Sequence, residues 1–209
     1  MATSDSRRLK TIRRGTSPID RPINMIEDGA SMVQVEMPQL ITGEVDNRAS
    51  DLIVSLIERF LDRRTILLNE GCESQLQPRM IGVVCAHVSQ VNAVRERLPH
   101  YLSEVFVETA DRFQGLERPI MIVHHPLSGR IDADQFHLDA GRLCVMLSRH
   151  SFACIIVARA GIEDRILSST PGSDRILNRD RDDEFEGRKS NLSVLQELQR
   201  KGRIIEIDS

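Results

Sequence analysis

The sequence predicts an α/β domain of three layers, with a mainly parallel sheet across residues 29–168 and helices on both faces. Two observations carry that expectation. Residues 80–86 and 152–158 are short, continuous apolar runs, the pattern of strands buried on both faces. Such runs alternate with stretches whose apolar residues recur at helical spacing, as βαβ units do.

Taken in order, residues 1–28 carry Arg7, Arg8, Lys10, Arg13, Arg14 and Arg21, with Asp5 and Asp20 among the first 24 residues to offset them. Their low hydrophobicity predicts a basic, flexible arm, read first as a solvated tail. Residues 32–37 alternate like a strand that Pro38 closes. Leu52, Ile53, Leu56, Ile57, Phe60 and Leu61 then recur as one helical face over residues 47–63. The buried strand 80–86 leads into a helix over 89–98, with Val91, Val94 and Leu98 on one face. Two apolar runs, 105–107 and 120–123, flank a polar turn. A loop over 126–135, a helix over 138–149, the strand 152–158 and a short helix to 167 follow. Residues 174–189 hold six acids and five bases, so 169–189 is expected to be a charged linker. Residues 190–209 close with a helix that turns Val194, Leu195 and Leu198 inward, and a final strand over 203–208.

Composition narrows the function classes. At 209 residues the chain is long enough for one domain with a proper core. Aromatic residues at 3%, with no Trp, argue against a surface that binds single strands by base stacking. A net charge of −3 excludes a chain-wide electrostatic nucleic-acid binder, so any basic footprint is local. Cys85, Cys144 and Cys154 sit in apolar runs and are expected to be buried, reduced thiols; Cys72 makes no Cys-x-x-Cys pair with them. The adjacent pair His124-His125 lacks metal-ligand spacing, so no metal is expected. Without an apolar run of about 20 residues or a signal segment, the expected location is the cytoplasm.

The most informative stretch is Glu108-Thr109-Ala110-Asp111-Arg112-Phe113-Gln114-Gly115-Leu116-Glu117, a polar turn that leaves a strand's carboxyl end. In open α/β sheets that end binds ligands. The second is Arg142-Leu143-Cys144-Val145-Met146-Leu147-Ser148-Arg149, an apolar helical stripe bounded by arginines. Together and in this order they resemble motifs V and VI of superfamily 1 helicases, in the branch that holds the RNA-surveillance helicases and related DNA helicases. The resemblance is firm over residues 80–160 and looser from Gly29. It implies a RecA-like domain, the second of two that close on ATP with magnesium. The first would supply a P-loop lysine and the metal-binding acids.

Within that resemblance Arg149 matches the arginine finger, whose charge opposes the one spread over the moving phosphate; such a group is worth roughly 10³–10⁵ in rate. Taken alone, an arginine at a helix end is explained by the helix dipole, about 0.3–1 kcal/mol; the upstream motif favours the catalytic role. Gln114 and Gly115 would approach the nucleotide phosphates, Glu117 would accept the ribose hydroxyls, and Arg142 would support them. Thr109 matches a contact to nucleic-acid phosphate. Asp111 is grouped with it, although for Asp111 taken alone a helix N-cap is the preferred reading. Where the family commonly has Thr-Pro-Tyr this chain has Cys85-Ala86-His87, which loses a hydroxyl and leaves His87 among the nucleic-acid contacts. Thr109, Gln114, Glu117 and Arg149 are expected to converge at one edge of the sheet.

The 209 residues contain no Gly-x-x-x-x-Gly-Lys-Ser/Thr and no strand ending in Asp-Glu. The chain is therefore expected to be half of an ATPase, inactive alone, partnered by a P-loop RecA-like domain in cis or in trans and by DNA or RNA. Two other readings stand beside this one. The first is a non-catalytic interaction module that has kept the scaffold and lost the motor. The second, ranked last, is a nucleic-acid binder acting through the basic arm.

Overall fold

Six parallel strands form the centre of the domain. A computed structural model describes residues 7–131, 133–168 and 178–207. Its main sheet contains β2 (Met32–Met37), β5 (Ile81–Cys85), β6 (Phe106–Thr109), β7 (Arg118–His124), β8 (His150–Arg159) and β9 (Ile204–Glu206) in the order β6-β5-β7-β8-β2-β9. Every pairing in it is parallel. A smaller antiparallel sheet joins β1 (Arg8–Thr11), β3 (Thr65–Asn69) and β4 (Cys72–Gln75).

The period-two alternation of each strand decides which face each side chain joins. Val33, Val35, Val83, Ile122 and Ile155 point to one face, where α1 (Arg21–Glu27), α2 (Asn47–Asp62) and α3 (Val88–Arg97) cover them. Val84, Met121, Val123, Cys154 and Ile156 point to the other, under α5 (Ala140–Ser148) and α7 (Asn178–Arg200). The result is the three-layer, RecA-like arrangement that the sequence predicted. Each fully buried Ile, Leu or Val adds about 1.5–3 kcal/mol. Leu127, Ala133 and Leu138 form a third cluster with Leu195 and Ile162, under α4 (Gln135–Leu138), α6 (Ile162–Ser168) and α7. Among the described residues no helix is long and apolar enough to cross a membrane.

The expected flexible arm is ordered from Arg7 onward. Its anchor is charge. Arg63, 1% exposed, donates to the Arg13 carbonyl (3.1 Å), the Thr11 hydroxyl (3.0 Å), the Asn24 amide oxygen (2.7 Å) and the Glu27 carboxylate (2.5 Å). Arg59 forms a two-pronged bond with buried Asp20 at 2.6 and 2.8 Å. Hydrogen bonding to Arg59 holds the Asp20 carboxyl far below the usual carboxylate range against its burial. Buried, fully bonded charges fix a chain that has few apolar residues to offer.

The expected linker also differs. Residues 178–200 are one helix, while 169–177 lie outside the described residues. Gly187 lets α7 approach closely, because a Cβ there would collide with the carbonyl of Leu138. Cys144 is exposed rather than buried, unlike Cys85 and Cys154, whose thiols burial pushes up to about 12.

Candidate nucleotide and nucleic-acid edges

The two signature segments meet at the amino edge of the sheet. After β6 a tight helical turn, Ala110–Phe113, carries the chain back across the face that α5 covers. Phe113 is fully buried, edge-on to Phe106 at 5.0 Å between ring centres. It also packs over Gly82, where a Cβ would stand 3.1 Å from its ring and 2.6 Å from the Met121 sulfur. Gly115, at φ +77°, then reverses the chain at little steric cost. Gln114, Gly115 and Glu117 are exposed, and the next residue, Arg118, donates its N–H to the carbonyl of Arg149 at 2.9 Å. Arg149 ends α5 with φ −93° and ψ 14°. Thus Gln114, Gly115 and Glu117 share one edge with Arg149.

Arg118 is the residue that sequence reasoning missed. Its guanidinium carbon lies 4.9 Å from the centre of the Phe106 ring, and it donates to the Glu117 carbonyl at 2.9 Å. The Nε atoms of Arg118 and Arg149 are buried without a hydrogen-bond partner among the described residues. Neither arginine forms an ion pair among the described residues. Two uncompensated cations beside an exposed carboxylate suit a polyanion that carries ribose hydroxyls. The position directly after Glu117 and before a strand was the available signal.

Thr109 does not join them, which corrects the expected convergence. It pairs with Cys85, and Val84 pairs with Val123, so Thr109 lies level with the carboxyl end of β7. Arg118 begins β7 six residues earlier, roughly 20 Å along the strand direction at about 3.3 Å per residue. The segment 109–118 therefore crosses the sheet from one edge to the other. Asp111 is exposed in the turn and caps nothing; the N-cap position falls on Thr109.

Arg142 is corrected as well. It occupies the first turn of α5, about 10 Å from Arg149 at 1.5 Å per residue. Its guanidinium carbon stacks 3.8 Å from the centre of the Phe136 ring, and its Nη1 donates to that residue's carbonyl at 2.5 Å. It belongs to the carboxyl edge, with His87.

At that edge the connections diverge. The chain leaving β5 turns to the α3 face, while those leaving its neighbours β6 and β7 turn to the α5 face. Such a switch point opens a crevice where α/β sheets bind ligands. His87 stands there, half-buried, stacked on Phe136 at 5.2 Å between ring centres. Its Nε2 lies 2.8 Å from Nε2 of His137, and Nδ1 of His137 lies 2.5 Å from Asp134. Burial first, then His137 and Arg130, hold His87 below its ordinary value. Burial would raise Asp134, but its bonds to the His137 N–H groups outweigh that and keep it low.

Beneath lies a buried polar network. Asp46 caps α2 through the Ala49 N–H and takes a bidentate pair from Arg159 at 2.7 and 3.0 Å. Arg159 also donates to the Pro38 carbonyl at 3.0 Å, and Gln90 accepts the Asp46 N–H at 2.7 Å. His124 and His125 are buried, which lowers them to about 4 and about 3. They stay neutral in the fold while an unfolded histidine charges near pH 6.5. Their folded values are depressed, so the unfolded state binds more protons and stability falls as pH drops. Acid unfolding monitored by circular dichroism should show Tm falling from about pH 6.5 downward, as stability declines by up to about 2.7 kcal/mol per pH unit. A flat Tm down to about pH 5 would contradict neutral burial.

No curated protein matches the chain. The model of the AAA_12 family, described as an AAA domain, matches residues 35–161, more than half of the chain, including both edges and the segment that joins them. The chain belongs to the AAA_12 family and is a helicase-like domain of the P-loop NTPase class.

Proposed function

We propose that this domain is the second motor domain of an ATP-dependent nucleic-acid helicase or translocase. The observation that carries the proposal is the crossing segment. Its end at Glu117 stands beside Arg149, and its start at Thr109 stands on the same edge as His87. One stretch of backbone joins a cationic edge, suited to a nucleotide, to an edge built for a second ligand. Movement of either end is transmitted through Phe113, which is fixed in the core.

In this reading Arg149 faces the terminal phosphate as the arginine finger, and Glu117 accepts the ribose hydroxyls. Gln114 and Gly115 line the approach of the phosphates, with Arg118 adding a second cation. Arg142 orders Phe136 and the carboxyl edge instead of touching the nucleotide. Magnesium would polarise the phosphates, but the described residues contain no cluster of carboxylates suited to it. The metal ligands and the phosphate cradle come from a P-loop RecA-like domain, in cis or in trans. Nucleotide affinity rests on those elements. The expectation is therefore weak ATP binding and no turnover by this chain, with turnover appearing on addition of such a domain. Isothermal titration with ATP and magnesium, followed by phosphate-release assays of the mixture, tests it. Tight binding or turnover by the chain alone would overturn the assignment.

Two observations favour the alternative of a non-catalytic interaction module. The strand end at Cys85 is fully buried, and His87 is tied to His137. Failure of every P-loop domain encoded with this chain to assemble on it with an ATP analogue would favour the module.

A further inference from the structure

Resting on the reading of the carboxyl edge as the nucleic-acid side, we propose that Asp134, His137 and His87 form a proton relay that makes His87 a proton-linked ligand for phosphate groups. The geometry fixes the tautomers. Nδ1 of His137 faces the Asp134 carboxylate, so it carries a hydrogen. The neutral pair can then bond across 2.8 Å in one way: His87 donates from Nε2 and His137 accepts. His87 is left with a bare Nδ1, an acceptor with no partner among the described residues.

Uptake of one proton reverses this. The proton adds to Nδ1 of His87, the Nε2 hydrogen of His87 passes to Nε2 of His137, and His137 becomes an imidazolium beside Asp134. The charge rests on a residue only 3% exposed, where a carboxylate compensates it. The accessible atom of His87 has changed from acceptor to donor. Only the second state can donate to a phosphate oxygen.

The surroundings favour such a ligand. Arg130 faces His87 from the loop after β7, and its Nε is buried without a partner among the described residues. Arg142 stacks on Phe136, which also stacks on His87. Glu44 from the loop after β2, Asp134 from the cap of α4 and the neutral His124 from β7 complete the groups around the ring. Without ligand, burial and the neighbouring cations disfavour the extra proton; a phosphate restores it. Binding therefore takes up a proton, and affinity rises as pH falls.

The test follows the His87 and His137 ring resonances of the whole chain by NMR as pH falls from about 8 to about 5.5. Spectra are taken alone, with inorganic phosphate and with a short oligothymidylate. The affinity of a fluorescent oligothymidylate is measured over the same range for the native chain, His87→Gln and His137→Gln. The relay predicts that ligand raises the pair's midpoint by about one unit, so that affinity gains about tenfold in all as pH falls through the two midpoints. Both variants should lose that slope, so that their affinity no longer rises as pH falls. A midpoint raised by inorganic phosphate alone would keep the relay as a site for free phosphate esters and remove His87 from the nucleic-acid contacts. Midpoints unmoved by either ligand, or an unchanged slope in His87→Gln, would overturn the relay and leave the Arg149 assignment untouched.

Discussion

Replacement of Arg149 with alanine is expected to lower ATP turnover of the motor, completed with a P-loop domain, by roughly 10³–10⁵-fold. The loss should fall on the chemical step. Arg149 is held by its backbone, through the bond from Arg118, and by the end of α5, so truncating its side chain leaves Glu117 and the ribose contact in place. Nucleotide affinity should change far less than turnover. Lysine should rescue poorly, because a point charge on a flexible stem does not reproduce a planar fork. Single-turnover phosphate release, compared with equilibrium nucleotide binding, separates the two effects. An Arg149→Ala motor with undiminished turnover would exclude the finger role.

The second large effect concerns stability. Asp46→Asn should destabilise the domain by about 3–5 kcal/mol, because it leaves Arg159 buried with its charge unpaired. For a domain of this size Tm should drop by about 10 °C or more. Burial would raise the Asp46 carboxyl, but Arg159 and the Ala49 N–H outweigh it and hold it low. Its folded value is thus depressed, so the pair's contribution is present above about pH 4 and is lost as pH falls through the folded value. Asn keeps the cap and removes that pH dependence. Replacing both partners, as Asp46→Asn with Arg159→Met, should recover much of the loss, since no buried charge remains. Thermal melts of the single and double variants decide this. A single variant as stable as the native chain would show that the pair contributes little.

How much of this was legible depended on whether the determinant was local. The strands 80–86 and 152–158 and the helix over 47–63 declare themselves through uninterrupted apolar runs or one-sided stripes, and the structure places them within a few residues. The β3–β4 hairpin does not declare itself. Its second strand, Cys72–Gln75, is exposed throughout, and its turn relies on positive φ at Glu70 and Gly71. The arm reads as flexible in sequence because its anchors, Arg59 and Arg63, lie about 40 residues away and act through charge. The motif residues could be read from their types and order, but not the sheet edge each would occupy. A nine-residue step from Thr109 to Arg118 looks like a turn in sequence and proves to be a crossing. His137 could not be paired with His87 across 50 residues without the structure.

The separation of the two edges is the central claim, and amide hydrogen exchange of the completed motor tests it most directly. A non-hydrolysable ATP analogue should slow exchange at residues 114–118 and 148–150 and leave residues 86–88 and 134–138 unchanged, while a short oligothymidylate should do the reverse. Protection of residues 86–88 and 134–138 by the analogue, with 114–118 and 148–150 unaffected, would contradict the assignment of the nucleotide to the Arg149 edge.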